Sequence, residues 1–165
     1  MSSYGDYTTL AELFIYATNK FADKIAYKYK ENEEWKPMTF REVREEVEEI
    51  AGALKRFGFE AHDHIGIMAE NSRHWAMIDY ATLCLNGTLT TIYPTLTTKQ
   101  AKWIILHSEC KYLFCGSQNE AEKITPVFDS LPRVKKVIII NDDEIDHPDF
   151  IKFSELLDSG KQYAK

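Results

Sequence analysis

Residues 63–94 read DHIGIMAENSRHWAMIDYATLCLNGTLTTIYP. They parse as strand, turn, helix, stop and strand. Ile65, Ile67 and Met68 fall in a short apolar run, and Glu70-Asn71-Ser72 is a polar break with helix-capping chemistry. From Trp75 to Leu85 a helix would be apolar on nearly every face, with Asp79 its only charge. Asn86-Gly87 ends it, since glycine enters the left-handed conformation without a side-chain penalty. Thr88 to Tyr93 is a β-branched run closed by Pro94. Two buried strands joined by a buried helix make a βαβ unit, parallel and right-handed. A helix apolar all round must be covered on several sides. This unit is therefore expected at the centre of the domain.

The flanking sequence continues the alternation. Residues 1–7 are read as frayed, and Thr8 or Thr9 caps a helix over Leu10 to Phe21 with Leu10, Leu13, Phe14, Ala17 and Phe21 on its buried side. Ile25–Lys30 and Trp35–Met38, joined by a polar turn at Glu31–Glu34, form a hairpin with one wet face, placed at an edge of the sheet. Thr39 and Glu42 make a capping box, followed by a buried stripe of Val43, Val47, Ile50, Leu54 and Phe57 and a stop at Gly58. Glu42, Glu45, Glu46, Glu48 and Glu49 read as a solvated acidic face. Beyond the central unit, Thr97 or Thr98 opens a helix to Ser108 that buries Ala101, Ile104 and Ile105. Lys111–Cys115 is a short strand, Gln118 to about Asp129 a helix, and Val134–Ile140 a strand suited to a sheet covered on both faces. The acidic tail from Asp142 is weakly helical around Phe153–Asp158, and the end at 160–165 reads as a cut in a linker.

The pattern predicts an α/β fold: a mainly parallel, twisted sheet flanked by helices, with an N-terminal β-hairpin, in one domain spanning residues 1–165. Four segments, Ile65–Met68, Leu89–Ile92, Leu113–Cys115 and Val137–Ile140, are expected in a single sheet. A chain of this length buries roughly 68–70% of its unfolded surface. No apolar run approaches the ~20 residues of a membrane span, and MSSYGDYTTL lacks the basic-then-apolar order of a signal peptide. A net charge of −6 argues against nucleic-acid and anionic-membrane partners. Cys84, Cys110 and Cys115 each lie in an apolar run without a C-x-x-C pair, which predicts buried, reduced, structural thiols in a cytoplasmic protein.

Chemistry is sparse. Phosphate-binding loops need clustered glycines so that backbone N–H groups can approach the anion, and none of the seven glycines neighbours another. Cys115-Gly116-Ser117, between a strand and a helix, is the nearest phosphate candidate and reads first as an ordinary turn. His62 and His64 share one side of an extended segment but lack a third metal ligand. His74 and His107 lack a nucleophile turn. Asp79 needs a partner inside its apolar helix, for which Arg73, Lys99, Lys102 or backbone N–H groups are available. Asp142-Asp143-Glu144 lacks the spacing of a calcium loop and reads as solvated. No catalytic, cofactor-binding or metal-binding residue is assigned.

The stretch from Ile65 to Thr97 resembles the N-terminal part of the AMP-forming acyl-CoA synthetase and adenylating-enzyme superfamily. Asn71, Trp75, Asp79, Gly87 and Ile92–Thr97 resemble its long-chain fatty acid–CoA ligase branch. Thr39-Phe40-Arg41-Glu42 is similar to the family's opening helix and Asp63–Asn71 to its first long strand. Leu131–Ile140 with Phe153-Ser154-Glu155-Leu156-Leu157 resembles the stretch before the phosphate loop. Thr88–Thr91 departs from the small and aliphatic residues usual there, yet still suits a strand. The resemblance implies the N-terminal subdomain of an adenylate-forming enzyme whose parent activates a fatty acid with MgATP and transfers the acyl group to coenzyme A. The motifs for ATP, Mg²⁺ and coenzyme A lie downstream in the family, so this piece alone is expected to hold no cofactor and to be inactive. Its implied partner is the rest of the parent ligase, with a homo-oligomer through exposed apolar surface also expected. Two other readings compete: a free-standing α/β binding or interaction module, and a small nucleotide-binding enzyme.

Overall fold

The computed structural model describes residues 7–31 and 33–161. The frayed reading of residues 1–7, for its first six, together with Asn32 of the hairpin turn and residues 162–165, lies outside the described residues. In chain order the elements are α1 (Leu10–Lys20), β1 (Ile25–Glu31), β2 (Glu34–Thr39), α2 (Phe40–Arg56), β3 (His64–Met68), α3 (Arg73–Cys84) and β4 (Thr88–Ile92). They continue with α4 (Thr98–His107), β5 (Tyr112–Cys115), α5 (Gln118–Ile124), a 3-10 turn (Thr125–Ser130), β6 (Lys136–Ile139), β7 (Phe150–Lys152) and α6 (Phe153–Lys161).

Five strands form one parallel sheet in the order β4-β3-β5-β6-β7. The four strands expected together are in it. Alternation of side chains divides the core. Ile65, Ile67, Tyr112, Phe114 and Ile138 face α2, α3 and α6, whereas Met68, Leu113, Cys115, Val137 and Ile139 face α4 and α5. Capping boxes open α1, α2, α4 and α5 from Thr9, Thr39, Thr97 and Ser117. The stop at Gly58 is left-handed, with φ of 86°.

Several expectations are corrected. The 63–94 unit is not central. After β4 the chain crosses back over β3, so β5 becomes the middle strand and β4 the edge. Being at the edge, α3 is covered on fewer sides than its composition demands. Met77, Ile78, Ala81 and Thr82 are buried, Trp75, Tyr80 and Leu83 are half-buried, and Cys84 is exposed. Cys84 is thus not a buried thiol, unlike Cys110 and Cys115. The left-handed residue at the end of α3 is Asn86 (φ 57°), not Gly87. Glycine is required at 87 by close approach instead: a β-carbon there would lie 2.4 Å from Phe59 Cζ.

In α1 the buried positions are Phe14 and Thr18, while Leu10 and Leu13 are 63% and 40% exposed. Thr18 tolerates burial because its hydroxyl donates to the Phe14 carbonyl at 2.9 Å. Phe57 and Ile104 are half-buried. The hairpin β1–β2 forms a separate two-stranded antiparallel sheet and does not join the edge of the main one. The helix after Ser117 is α-helical only to Ile124, because Pro126 has no N–H to continue the ladder and the chain tightens to 3-10. The tail contributes a fifth parallel strand, β7, and a helix, α6, that packs on α2.

Candidate functional site

In an open parallel sheet, ligands enter the crevice at the carboxyl ends of the strands, where the strand order reverses. That point lies between β3 and β5, since β4 and β5 flank β3 on opposite sides. Two turns meet there. The Gly116 N–H donates to the Met68 carbonyl at 2.9 Å, and a β-carbon on Gly116 would be 3.1 Å from Ala69 Cβ. The crevice is packed shut at this level.

Ser117 sits at the carboxyl end of β5, as the phosphate candidate required, but its donors are engaged. Its N–H and hydroxyl both donate to Glu120 Oε2, at 2.9 and 2.6 Å. The Gln118 N–H donates to Asp143 Oδ2 at 2.8 Å. Carboxylates of the chain itself thus accept from the donors of this turn, Glu120 as the partner in the capping box that opens α5.

An open groove of about 630 Å³ lies between β1 and the start of α3, lined by Tyr27, Lys28, Tyr29, Lys30, Glu31 and residues Asn71 to His74. Its wall is an ion cluster. Arg73 Nη1 donates to Glu46 Oε2 at 2.9 Å, and His74 Nδ1 lies 2.7 Å from Glu46 Oε1. The Arg73 guanidinium also lies 4.6 Å from the centre of the Tyr29 ring, a cation–π contact. The His74 ring meets Phe153 of α6 edge-on at 4.8 Å. One carboxylate of α2 thereby joins the first turn of α3, the hairpin and α6. It corrects the solvated reading of the acidic face at Glu46. The signal was present: an arginine in the first turn of a helix opposes its dipole and calls for an acidic partner.

The other candidates are scattered. His62 is exposed with φ of 69°, and His64 Nδ1 lies 2.5 Å from the Ser108 carbonyl, both at the amino end of the sheet. Among the described residues no group of three or more His, Cys, Asp or Glu is arranged to hold a metal ion. His107 stacks on Trp103 with ring centres 5.0 Å apart. Asp79 is half-buried and takes none of the suggested partners among the described residues, and Arg73 is committed to Glu46 instead. Burial raises its pKa above the usual carboxylate value. In the acidic tail cluster, Asp142 Oδ1 accepts from the Ser154 N–H at 2.9 Å, Asp143 holds Gln118, and Glu144 pairs with Lys152 at 2.9 Å. Asp142 and Glu144 are nonetheless exposed, as the solvated reading expects, while Asp143 is half-buried. Burial also pushes the Cys110 and Cys115 thiols up, which suppresses thiolate formation.

Comparison with known proteins supplies the family. The profile of the AMP-binding enzymes matches residues 14–164. The Xenopus laevis long-chain-fatty-acid–CoA ligase ACSBG2 is 25% identical over 154 residues, which is 93% of this chain and 21% of that protein. The Mycobacterium bovis long-chain-fatty-acid–CoA ligase FadD15 is 24% identical over 136 residues, 82% of this chain and 23% of that one. The chain thus spans about a fifth of the length of the curated relatives it matches. Among solved structures, a long-chain-fatty-acid–CoA ligase from Archaeoglobus fulgidus superposes with a TM-score of 0.76 at 26% identity, covering 92% of this chain and 30% of that one. The A-PCP didomain of a carboxylic acid reductase from Segniliparus rugosus shares the fold, with a TM-score of 0.82 at 14% identity over 97% of this chain and 27% of its own. No helix among the described residues is long and apolar enough to cross a membrane. The chain belongs to the AMP-binding enzyme family, and it corresponds to the N-terminal part of its long-chain-fatty-acid–CoA ligases.

Proposed function

We propose that residues 1–165 are the N-terminal scaffold domain of a long-chain fatty acid–CoA ligase and have no adenylating activity alone. The observation that carries this reading is the match of 93% of the chain to one fifth of such a ligase. It is supported by the turn at Gly116-Ser117, whose donors are consumed by Glu120 and Asp143. Electrostatic stabilisation of the transferring group is usually the largest catalytic term, and it needs free, pre-organised donors. ATP, Mg²⁺ and coenzyme A are therefore assigned to the remainder of the parent enzyme, and no step of the reaction to a residue of this chain.

The same reading makes the rest of the ligase the principal partner. It also includes a cytoplasmic location and self-association through exposed apolar surface, to which Leu10, Leu13 and Ile15 of α1 contribute. The test is calorimetry of the 165-residue chain with MgATP, together with an assay of fatty-acid-dependent pyrophosphate release. The expected result is no saturable heat and no release. Stoichiometric, saturable ATP binding would overturn the scaffold reading in favour of a small nucleotide-binding enzyme, and Gly116 and Ser117 would be the first positions to mutate. A reading frame that continues past Lys165 into a Ser/Thr/Gly-rich loop would favour the ligase over a free-standing module.

A further inference from the structure

Helix α4, TKQAKWIILH, differs from every other helix of the described residues in carrying no carboxylate. Its inner side buries Ala101 and Ile105 against the sheet. Its outer side presents the exposed Lys99, Trp103 and Leu106 with the half-buried Lys102, spaced by three and four so that they share one face. Trp103 is 65% exposed and Leu106 42%. Neither lysine has a carboxylate partner among the described residues. The nearest acid in sequence, Glu109, is 3.3 Å from Arg133 and neutralised by it.

We propose that this outer face of α4 docks on an anionic phospholipid surface. Trp and Leu insert at the headgroup boundary while flanking lysines reach lipid phosphates and carboxylates, the chemistry of an interfacial helix. The chain's net charge of −6 disfavours general adhesion to an anionic surface, so binding has to come from this one face. Charges beyond about 10 Å are screened, so the local field at α4 decides. The inference rests on the helix surface alone and stands or falls independently of the ligase reading.

The test is flotation of the intact chain with vesicles of phosphatidylcholine, with and without phosphatidylserine. Binding is expected only when phosphatidylserine is present, and it should weaken with added salt. Lys99→Glu with Lys102→Glu should reduce the bound fraction at least about tenfold, and Trp103→Ala at least about fivefold. Trp35→Ala, which removes an even more exposed indole on the hairpin, should leave binding unchanged. Far-UV circular dichroism confirms that each variant is folded. The lysine pair carries the test if Trp103→Ala is not. The proposal is overturned by no binding, by equal binding to both vesicles, or by Trp35→Ala acting as strongly as Trp103→Ala. It is equally overturned if sedimentation shows a Trp103-dependent dimer in place of vesicle binding.

Discussion

Arg73 Nη1 on α3 lies 2.9 Å from Glu46 Oε2 on α2, across 27 positions of sequence, and both side chains are largely withdrawn from water. The other oxygen of Glu46 is taken by His74. This pairing sets how α3 enters at the sheet edge, where packing alone leaves it half-covered.

Removing Glu46 should therefore be costly. Breaking a partly buried pair strands the remaining charge, so Glu46→Ala is expected to cost about 2–3 kcal/mol. A double-mutant cycle of Glu46→Ala with Arg73→Ala, followed by urea denaturation, should return a coupling of about 1 kcal/mol or more. Additive losses would show that the two side chains act separately.

Gly160 of α6 packs directly on the backbone of α2. A β-carbon there would sit 1.8 Å from the Glu49 carbonyl oxygen, so the helices must separate to admit one. Gly160→Ala is expected to lose about 2–3 kcal/mol despite its better helix propensity. A midpoint equal to or above the parent's would mean that α6 can move away freely.

Asp79 should respond to pH in the opposite sense from an ion-paired carboxylate. Burial holds its folded pKa above the unfolded value. Its favourable contribution is then fully present below the unfolded pKa of about 3.9 and is lost as pH rises through the folded one. Asp79→Asn is accordingly expected to raise stability at neutral pH, by no more than about 1 kcal/mol after solvent screening. Thermal unfolding of both proteins across pH 3 to 7, roughly, should show the gain disappearing on the acid side.

Tyr112 gives an alkaline counterpart. Its hydroxyl donates to the Phe57 carbonyl at 2.6 Å. Burial, with the Asp63 charge adding to it, pushes its phenol up to about 12. The folded state keeps the proton after the unfolded chain has lost it, so stability declines as pH rises from about 10 towards 12. The expected loss is on the order of 2 kcal/mol. Tyr112→Phe should cost about 1 kcal/mol at neutral pH and flatten this alkaline decline, as read by denaturant midpoints.

Local chemistry was legible wherever its cause lies within a few residues. The capping box at Thr39, the helix start at Thr97, the stop at Gly58 and the buried Val43-Val47-Ile50-Leu54 stripe all follow from spacing and side-chain chemistry. Apolar runs gave four of the five strands of the main sheet for the same reason, and only the short β7 was missed. The exceptions are instructive. Thr18 reads as polar and is buried, because a helix carbonyl satisfies its hydroxyl. Gly87 reads as a conformational glycine and is a steric one, forced by Phe59, which lies 28 positions earlier.

By itself, then, the sequence determined the alternation of strands and helices, their caps and stops, and the family to which they belong. Only the tertiary structure decided that β5 and not the 63–94 unit occupies the middle of the sheet, that Glu46 is a partner and not a solvent charge, and that the Gly116-Ser117 donors are already used. The physical reason is range. Periodicity and capping act over one or two helical turns, whereas edge position, ion pairing and donor occupancy depend on which distant segments the crossovers bring side by side.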